Sequence, residues 1–384
     1  MTTRLRVGHV TTCRSDYGPA YWLIHDLAHH DAFELALFVG GAHLSDAHGH
    51  TVDEISRDGW PIAARVPFLD ADGRPTPRAL AAALAGFGSA FEAAQLDIVV
   101  LYGDRIELLP IAVAAMSHGI PIVHLCGGDI TEGALDDQVR HALTKLAHVH
   151  FPSTAESAAR VLQMGESAWR VHHVGDPALD HFTRGDRADL AELVGVLGFT
   201  PDVRTLLVTL HPTTLALDGV EAEVGALVAA LEAYDGSVVI TAPAPDPGAD
   251  VIRAALEALA QRRPQTVFVP SLGSRRYRAL LPVVGAMVGN SSSGLIEAAT
   301  AGLPVVNIGT RQAGRERGHN VIDVPGDRDQ ILAAIAKASS AEFRGSLAGA
   351  TNPYGDGTAS AQIVRVLSAL PARDKLLAKA FVTP

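Results

Sequence analysis

What this chain of 384 residues lacks narrows it first. No apolar run reaches the roughly 18 residues that a membrane-crossing helix needs. Residues 1–6 lead straight into an apolar strand pattern, without the long hydrophobic stretch or small-residue cleavage site of a secretion signal, so a soluble cytoplasmic protein is expected. Cysteine is scarce. Cys13 and Cys126 lack zinc-type spacing, and a cytosolic setting disfavours a structural disulfide between them. A basic excess is missing as well: the formal net charge is −11, whereas a nucleic-acid groove needs clustered Lys and Arg to displace counterions from phosphates. Any phosphate must therefore be held locally. The 17 histidines are scattered, and neighbours such as His29 and His30 point to opposite sides of an extended backbone, so no metal and no cofactor are expected. There is no Walker A loop. The run at Ser291 is not a nucleophile elbow, because Ser293 stands where that motif needs glycine.

What is present is alternation. With 48% hydrophobic residues and a length beyond the size at which one core stops growing, two domains are the expectation. Short apolar runs alternate with Ala- and Leu-rich helical stretches, the signature of βαβ units around parallel sheets. The pattern predicts strands at 6–11, 34–39, 98–102, 120–124, 148–151 and 171–174. A second series follows at 205–210, 237–241, 266–269, 286–288, 305–308 and 321–324. A charged helical stretch within 180–204 separates the two. The fold class expected is α/β and GT-B-like, with two doubly wound Rossmann-like domains and a cleft between them. The boundaries expected are 1–182, completed by a C-terminal helix at 365–384, and 183–364.

In open parallel sheets ligands lie outside the carboxyl ends of the strands, so the loops that follow strands matter most. In the first series these are Thr11 to Gly18, Gly103-Asp104-Arg105 and Cys126-Gly127-Gly128-Asp129. The second series offers His211-Pro212-Thr213-Thr214, Gly309-Thr310-Arg311-Gln312 and the run Gly289-Asn290-Ser291-Ser292-Ser293-Gly294. The serine run stands between an apolar strand and a helix-forming stretch at 295–301. A helix starting there aims unpaired N–H groups at an anion, with hydroxyls beside them. An ordinary serine N-cap is the alternative reading of the same residues.

These segments, with Arg14-Ser15-Asp16-Tyr17, Asp136-Asp137, Arg140-His141, Asn307 through Arg315 and Asn352 through Gly357, resemble the hydrolysing UDP-N-acetylglucosamine 2-epimerases of the sialic acid pathway. The likeness covers nearly the whole chain. His211 followed by Pro rather than by two arginines resembles the hydrolysing branch. The resemblance implies a GT-B fold and a nucleotide-sugar substrate, with a UDP-sugar foremost. It also implies elimination of UDP to a glycal, then addition of water with inversion at C2. A homodimer or homotetramer is implied as well, with neither nucleic acid nor membrane as partner.

Residue by residue, the resemblance implies that Ser291, Ser292 and Arg311 hold the diphosphate and that Glu297 grips the ribose hydroxyls. Arg14, Arg105 and His211 line the nucleotide and sugar phosphate. A guanidinium forks onto phosphate oxygens, and a carboxylate accepts from a vicinal diol. The resemblance assigns acid–base work to Asp104 and Asp136, supported by Arg140, with His211 at the same site. It also assigns a glutamate two residues after His124, where this chain has Cys126. A thiol replaces a carboxylate as base only if its thiolate is stabilised. Either Cys126 is such a thiolate, or it is an ordinary buried small hydrophobe and the role passes to Asp129 or Glu132 or C2 is no longer inverted. A second departure is Ala244, where the family commonly has a nucleotide-contacting asparagine. Two other functions fit the same loops: a GT-B glycosyltransferase that passes the sugar to an acceptor without C2 inversion, and an inactive nucleotide-sugar sensor.

Overall fold

A computed structural model of the chain describes residues 4–71, 73–132, 135–213, 216–243 and 246–383. Thr214 and Ala244 lie outside the described residues. The chain divides into two compact units: Met1–Asp129, Asp136–His181 and Tyr354–Pro384 form the first, and Ile130–Leu135 with Phe182–Pro353 the second.

In the first unit β1 (Leu5–Thr11), β2 (Phe33–Gly40), β3 (Ile62–Val66), β4 (Ile98–Tyr102), β5 (Ile122–Leu125) and β6 (Val149–Phe151) form one six-stranded parallel sheet in the order β3-β2-β1-β4-β5-β6. In the second, β7 (Leu206–Thr209), β8 (Val238–Thr241), β9 (Thr266–Val269), β10 (Ala286–Gly289), β11 (Val305–Ile308) and β12 (Val321–Val324) form another, in the order β12-β11-β10-β7-β8-β9. Renumbered within its own unit, the second sheet has the strand order of the first. Each therefore reverses direction once, between β1 and β4 and between β7 and β10. Those reversals are the topological switch points at which doubly wound sheets hold ligands.

The central strands are buried on both faces, which is why they read as near-continuous Val, Leu and Ile runs. In the first unit, helices Arg14–His29 and Ala359–Leu367 pack on one face of the sheet, and Pro77–Ala94 and Leu108–Ser117 on the other. In the second, Val220–Ala233, Ala249–Arg262 and Arg328–Ser339 cover one face, and Leu190–Leu197 and Gly273–Leu280 the other. In place of one C-terminal helix at 365–384 the chain forms two shorter ones, Ala359–Leu367 and Arg373–Leu377, and the first N–H groups of the former, at Ala359 and Ser360, donate to the Asp180 carboxylate at 2.9 and 2.7 Å.

Two strand expectations are corrected. The run Ile62–Val66 is an unanticipated edge strand, alternating between half-buried and exposed positions before a buried Val66, with Ala-Ala-Arg between its two β-branched ends, so it carries no continuous apolar signal. The stretch at 171–174 is not a strand. Only Val171 bridges to His150, and the chain then turns at Gly175, where φ is +89° and a Cβ would come within 2.8 Å of Tyr354 O.

Candidate functional site

At the switch point of the first unit a buried polar network ties the loop after β1 to the loop after β4. Asp16, 3% exposed, accepts from Thr12 N and Thr12 Oγ, both at 2.9 Å, and from Cys13 N; Thr11 Oγ donates to it as well. Burial alone would raise the Asp16 pKa, yet hydrogen bonding with His43 and Thr11 brings it below the usual carboxylate range. Across the switch point lies Glu107, 1% exposed, whose Oε1 is 3.2 Å from Thr12 Oγ and 2.6 Å from Arg105 Nε. Arg105 is thus anchored through one edge while its side chain stays 41% exposed. Arg14 stands half-exposed at the start of its helix, with Nε 3.7 Å from Glu54 Oε2.

The neighbouring loops of that edge bring Asp104 and Arg140 together. Arg140, 1% exposed, donates to Asp104 Oδ2 from Nε at 2.9 Å and from Nη2 at 2.5 Å, and its Nη1 reaches Asp129 O at 2.9 Å and Asp137 Oδ1 at 3.3 Å. Asp136 is exposed in the first turn of the same helix, Leu135–Leu146. Beneath them His124 is buried and neutral: desolvation lowers its pKa to about 4, and its Nε2 lies 2.8 Å from Gly103 O. Asp129 accepts from Ser157 Oγ at 2.5 Å. Gly128 allows that close approach, since a Cβ there would stand 2.3 Å from Ser157 O.

Cys126 sits at the end of β5 in a left-handed conformation, φ +59°, which few side-chain-bearing residues adopt. Its Sγ is 3.8 Å from Asp176 Oδ2. Burial first, then the Asp176 carboxylate, pushes the thiol pKa well above its usual value. That is the opposite of the electropositive setting a reactive thiolate needs, and it keeps the sulfur protonated. Cys13 is likewise pushed up to about 12 by burial and by Asp16.

The switch point of the second unit is built from amides, hydroxyls and a guanidinium. Asn290, fully buried after β10, accepts from His211 N at 2.7 Å through Oδ1 and donates to His211 O at 2.8 Å through Nδ2, locking the loops after β7 and β10 together. Its own carbonyl accepts from Arg311 Nη1 at 3.0 Å and Gln312 Nε2 at 2.8 Å, which brings the loop after β11 to the same point. Gly289 makes this possible: at φ +134° a Cβ would stand 1.9 Å from Thr209 O. Burial, then the Arg311 charge, lowers the His211 pKa to about 3, so the ring is neutral. Beside the same loop Glu223 is raised by burial to about 7, and its Oε1 is buried without a hydrogen-bond partner among the described residues.

The serine run differs from expectation in one respect. The helix that begins there is Ser292–Ile296, a single turn followed by further turns, not a helix through 295–301. One turn builds little macrodipole, so charge attraction at this edge comes chiefly from Arg311. Ser291 caps the turn by accepting from Ser293 N at 3.4 Å, and Ser293 Oγ pairs with Tyr277 OH at 2.5 Å. Ser292 is half-buried in the first turn, and Glu297 lies directly after it. The segment 130–135 belongs to this unit: Glu132 N donates to Ala313 O at 3.0 Å, beside Arg311. Among the described residues no group of three or more His, Cys, Asp or Glu is arranged to hold a metal ion, and no helix is long and apolar enough to cross a membrane.

Glu107, Asn290 and Glu223 are the site-edge residues that sequence reasoning did not single out. Asn290 stood inside a recognised motif. For Glu107 the only signal was its place two residues after Arg105, and for Glu223 there was none, because its position depends on how a helix abuts two loops from later in the chain.

Two sheets of identical strand order, with paired carboxylates and guanidiniums at one switch point and amides, hydroxyls and a guanidinium at the other, define a two-unit α/β protein of the GT-B kind. The chain belongs to the UDP-N-acetylglucosamine 2-epimerase family, whose sequence model matches residues 25–368. It is 33% identical over 377 residues to the UDP-N,N'-diacetylbacillosamine 2-epimerase (hydrolyzing) of Legionella pneumophila, covering 97% of this chain and 98% of that protein. It is 34% identical over 340 residues to the GDP/UDP-N,N'-diacetylbacillosamine 2-epimerase (hydrolyzing) of Campylobacter jejuni, covering 87% and 88% respectively. Among solved structures, the UDP-GlcNAc 2-epimerase of Neisseria meningitidis bound to UDP-GlcNAc shares the fold, with a TM-score of 0.77 at 17% identity over 95% of this chain and 100% of that one.

Proposed function

We propose that this protein is a hydrolysing nucleotide-sugar 2-epimerase that takes a UDP-linked 2-acetamido sugar and releases UDP and the C2-inverted free sugar. Family membership and the two hydrolysing relatives support the reaction class. One observation carries the division of labour: the second unit gathers Arg311, the serine turn and a neutral His211 around Asn290, while the first pairs Asp104 with a buried Arg140. Arg311, Ser291 and Ser292 hold the diphosphate, Glu297 takes the ribose hydroxyls, and Arg14 and Arg105 add positive charge toward the sugar phosphate.

The chemistry runs in two steps. A carboxylate removes the C2 proton while the C1–O bond breaks, its electron pair leaving on the diphosphate and a glycal remaining. Water then adds its oxygen to C1, and a proton is returned to C2 from the opposite face. Asp104 and Asp136 are the acid–base groups, and Arg140 holds Asp104 in place. Cys126 transfers no proton, since its environment holds the thiol protonated. Asp129, next to it and fixed by Ser157, is the carboxylate that takes over the position's role.

The test is proton NMR of the reaction in D₂O with UDP-linked 2-acetamido sugars. The expected result is UDP release with deuterium at C2 of an inverted free sugar. A product that keeps its original C2 hydrogen, or a sugar found on an acceptor, overturns the proposal.

A further inference from the structure

The last residues of the chain form a set of contacts that the reaction above does not use. After the short helix Arg373–Leu377, Lys379 turns inward, its side chain 15% exposed. Its Nζ lies 3.2 Å from Thr144 O, 2.9 Å from Lys145 O and 2.5 Å from Ala147 O. Those carbonyls close the C-terminal end of helix Leu135–Leu146, where carbonyls have no partner within the helix and where the dipole favours a cation. The ammonium is balanced by Glu166, whose side chain is 0% exposed and lies 2.9 Å from Lys379, 2.6 Å from Lys145 and 3.0 Å from His150 Nε2. Burial alone would raise the Glu166 pKa, but the hydrogen bonds from His150, Lys145 and Lys379 outweigh it and bring it down to about 2.

The attachment is reciprocal. Arg170, 1% exposed, donates to Leu376 O at 2.9 Å, Ala378 O at 3.1 Å and Lys375 O at 3.2 Å, capping the tail's own helix, and a further bond to His148 O ties it to the start of β6. Beyond Lys379, Val382 N donates to Gly165 O at 2.9 Å. One buried cation thus holds the tail while the tail delivers a second to the helix. That helix bears Asp136 in its first turn and Arg140 at its middle. A helix of 12 residues is marginal alone, so its axis is set by what grips it. Arg140 ties the middle of the helix to Asp104 and Asp129, and Lys379 holds its C-terminal end.

We propose that segment 373–383 is a clasp, and that Lys379 is a positioning residue that fixes helix Leu135–Leu146 so that Arg140 and Asp136 are correctly placed. The proposal rests on the functional reading above for the roles of those two residues.

The test compares Lys379→Met and Lys379→Arg with the unaltered full chain, reading amide hydrogen exchange across residues 135–146, kcat and KM for a UDP-linked 2-acetamido sugar, and affinity for UDP. In Lys379→Met, exchange along the helix rises at least about tenfold, and kcat falls roughly tenfold with KM and UDP affinity unchanged, as a displacement well below 1 Å would cost. Lys379→Arg restores most of the rate. Should Lys379→Met fail to fold, Glu166→Gln removes the counter-charge and shows the same changes in smaller measure. Unchanged exchange overturns the clasp, whatever the activity. A joint fall of kcat, UDP affinity and melting temperature, without rescue by arginine, marks general loosening and overturns the positioning role. If the unaltered enzyme turns over no nucleotide sugar, the functional reading falls and takes the catalytic purpose of Lys379 with it, while exchange still decides the clasp.

Discussion

The two switch points share a topology and differ in chemistry. In the first unit the side chain crossing from one central strand's loop to the other's is a carboxylate, Glu107; in the second it is an amide, Asn290. Near Glu107 the carboxylates are well supplied: Asp16 takes four hydroxyl and amide donors, and Asp104 takes Arg140 through two nitrogens. Around Asn290 stand a guanidinium, Arg311, a neutral histidine and hydroxyls. Strand order determines where a doubly wound sheet opens for a ligand, whereas the loop side chains determine whether that opening receives an anion or moves a proton.

The sharpest way to break this contrast is Arg140→Met. It removes the two bonds from Arg140 to Asp104 and the one to Asp129 O, so turnover is expected to fall about 10²–10⁴-fold while UDP affinity stays unchanged. Equal losses in both would show that the two edges are not chemically separate. Next in size is Arg311→Ala, which removes the guanidinium from the edge proposed to hold the diphosphate. UDP affinity measured by calorimetry should drop roughly 10–100-fold, the worth of charge-assisted hydrogen bonds, with the melting temperature nearly unchanged. Unaltered affinity would reject the assignment of that edge.

A smaller effect tests the carboxyl that sits among the second unit's loops. Glu223 has a folded pKa of about 7 against 4.5 as its ordinary value, so between those values the folded chain binds more protons than the unfolded one. Stability must then decline as pH rises through that window. Glu223→Gln should flatten this part of a melting-temperature profile by a few degrees, and a profile identical to the unaltered protein's would contradict the burial-driven shift. Least affected should be Cys126→Ala. A protonated thiol is expected to contribute under about threefold to kcat, whereas loss of a true base costs about 10²-fold or more, and the rate profile separates the two.

The strands most legible in the sequence were those buried on both faces, where alternation with helical stretches leaves little room for another arrangement. Edge strand β3 was not legible, because half its side chains face solvent and its alanines carry no strand preference. Among candidate site residues the same distinction holds. Asp104, Ser291 and Arg311 announced themselves by following strands, a position that local sequence encodes, whereas Arg140, inside a helix, was marked only by the family resemblance. The protonation of Cys126 and His211 could not be read, because a pKa depends on which distant groups share the burial: Asp176 lies fifty residues from Cys126, and Arg311 lies far along the chain from His211.

By itself, then, the order of residues determined the alternation of strand and helix, the two-unit plan and the polar loops at the strand ends, since each of these arises from neighbours within a few positions of one another. Tertiary structure alone decided which of those loops meet, which acids find a guanidinium, that the serine run starts only a single helical turn, and that the chain's last lysine returns to cap a helix more than two hundred residues earlier. Those outcomes rest on desolvation and hydrogen bonding between segments distant in sequence, and such interactions acquire their strength only once the surrounding core has excluded water.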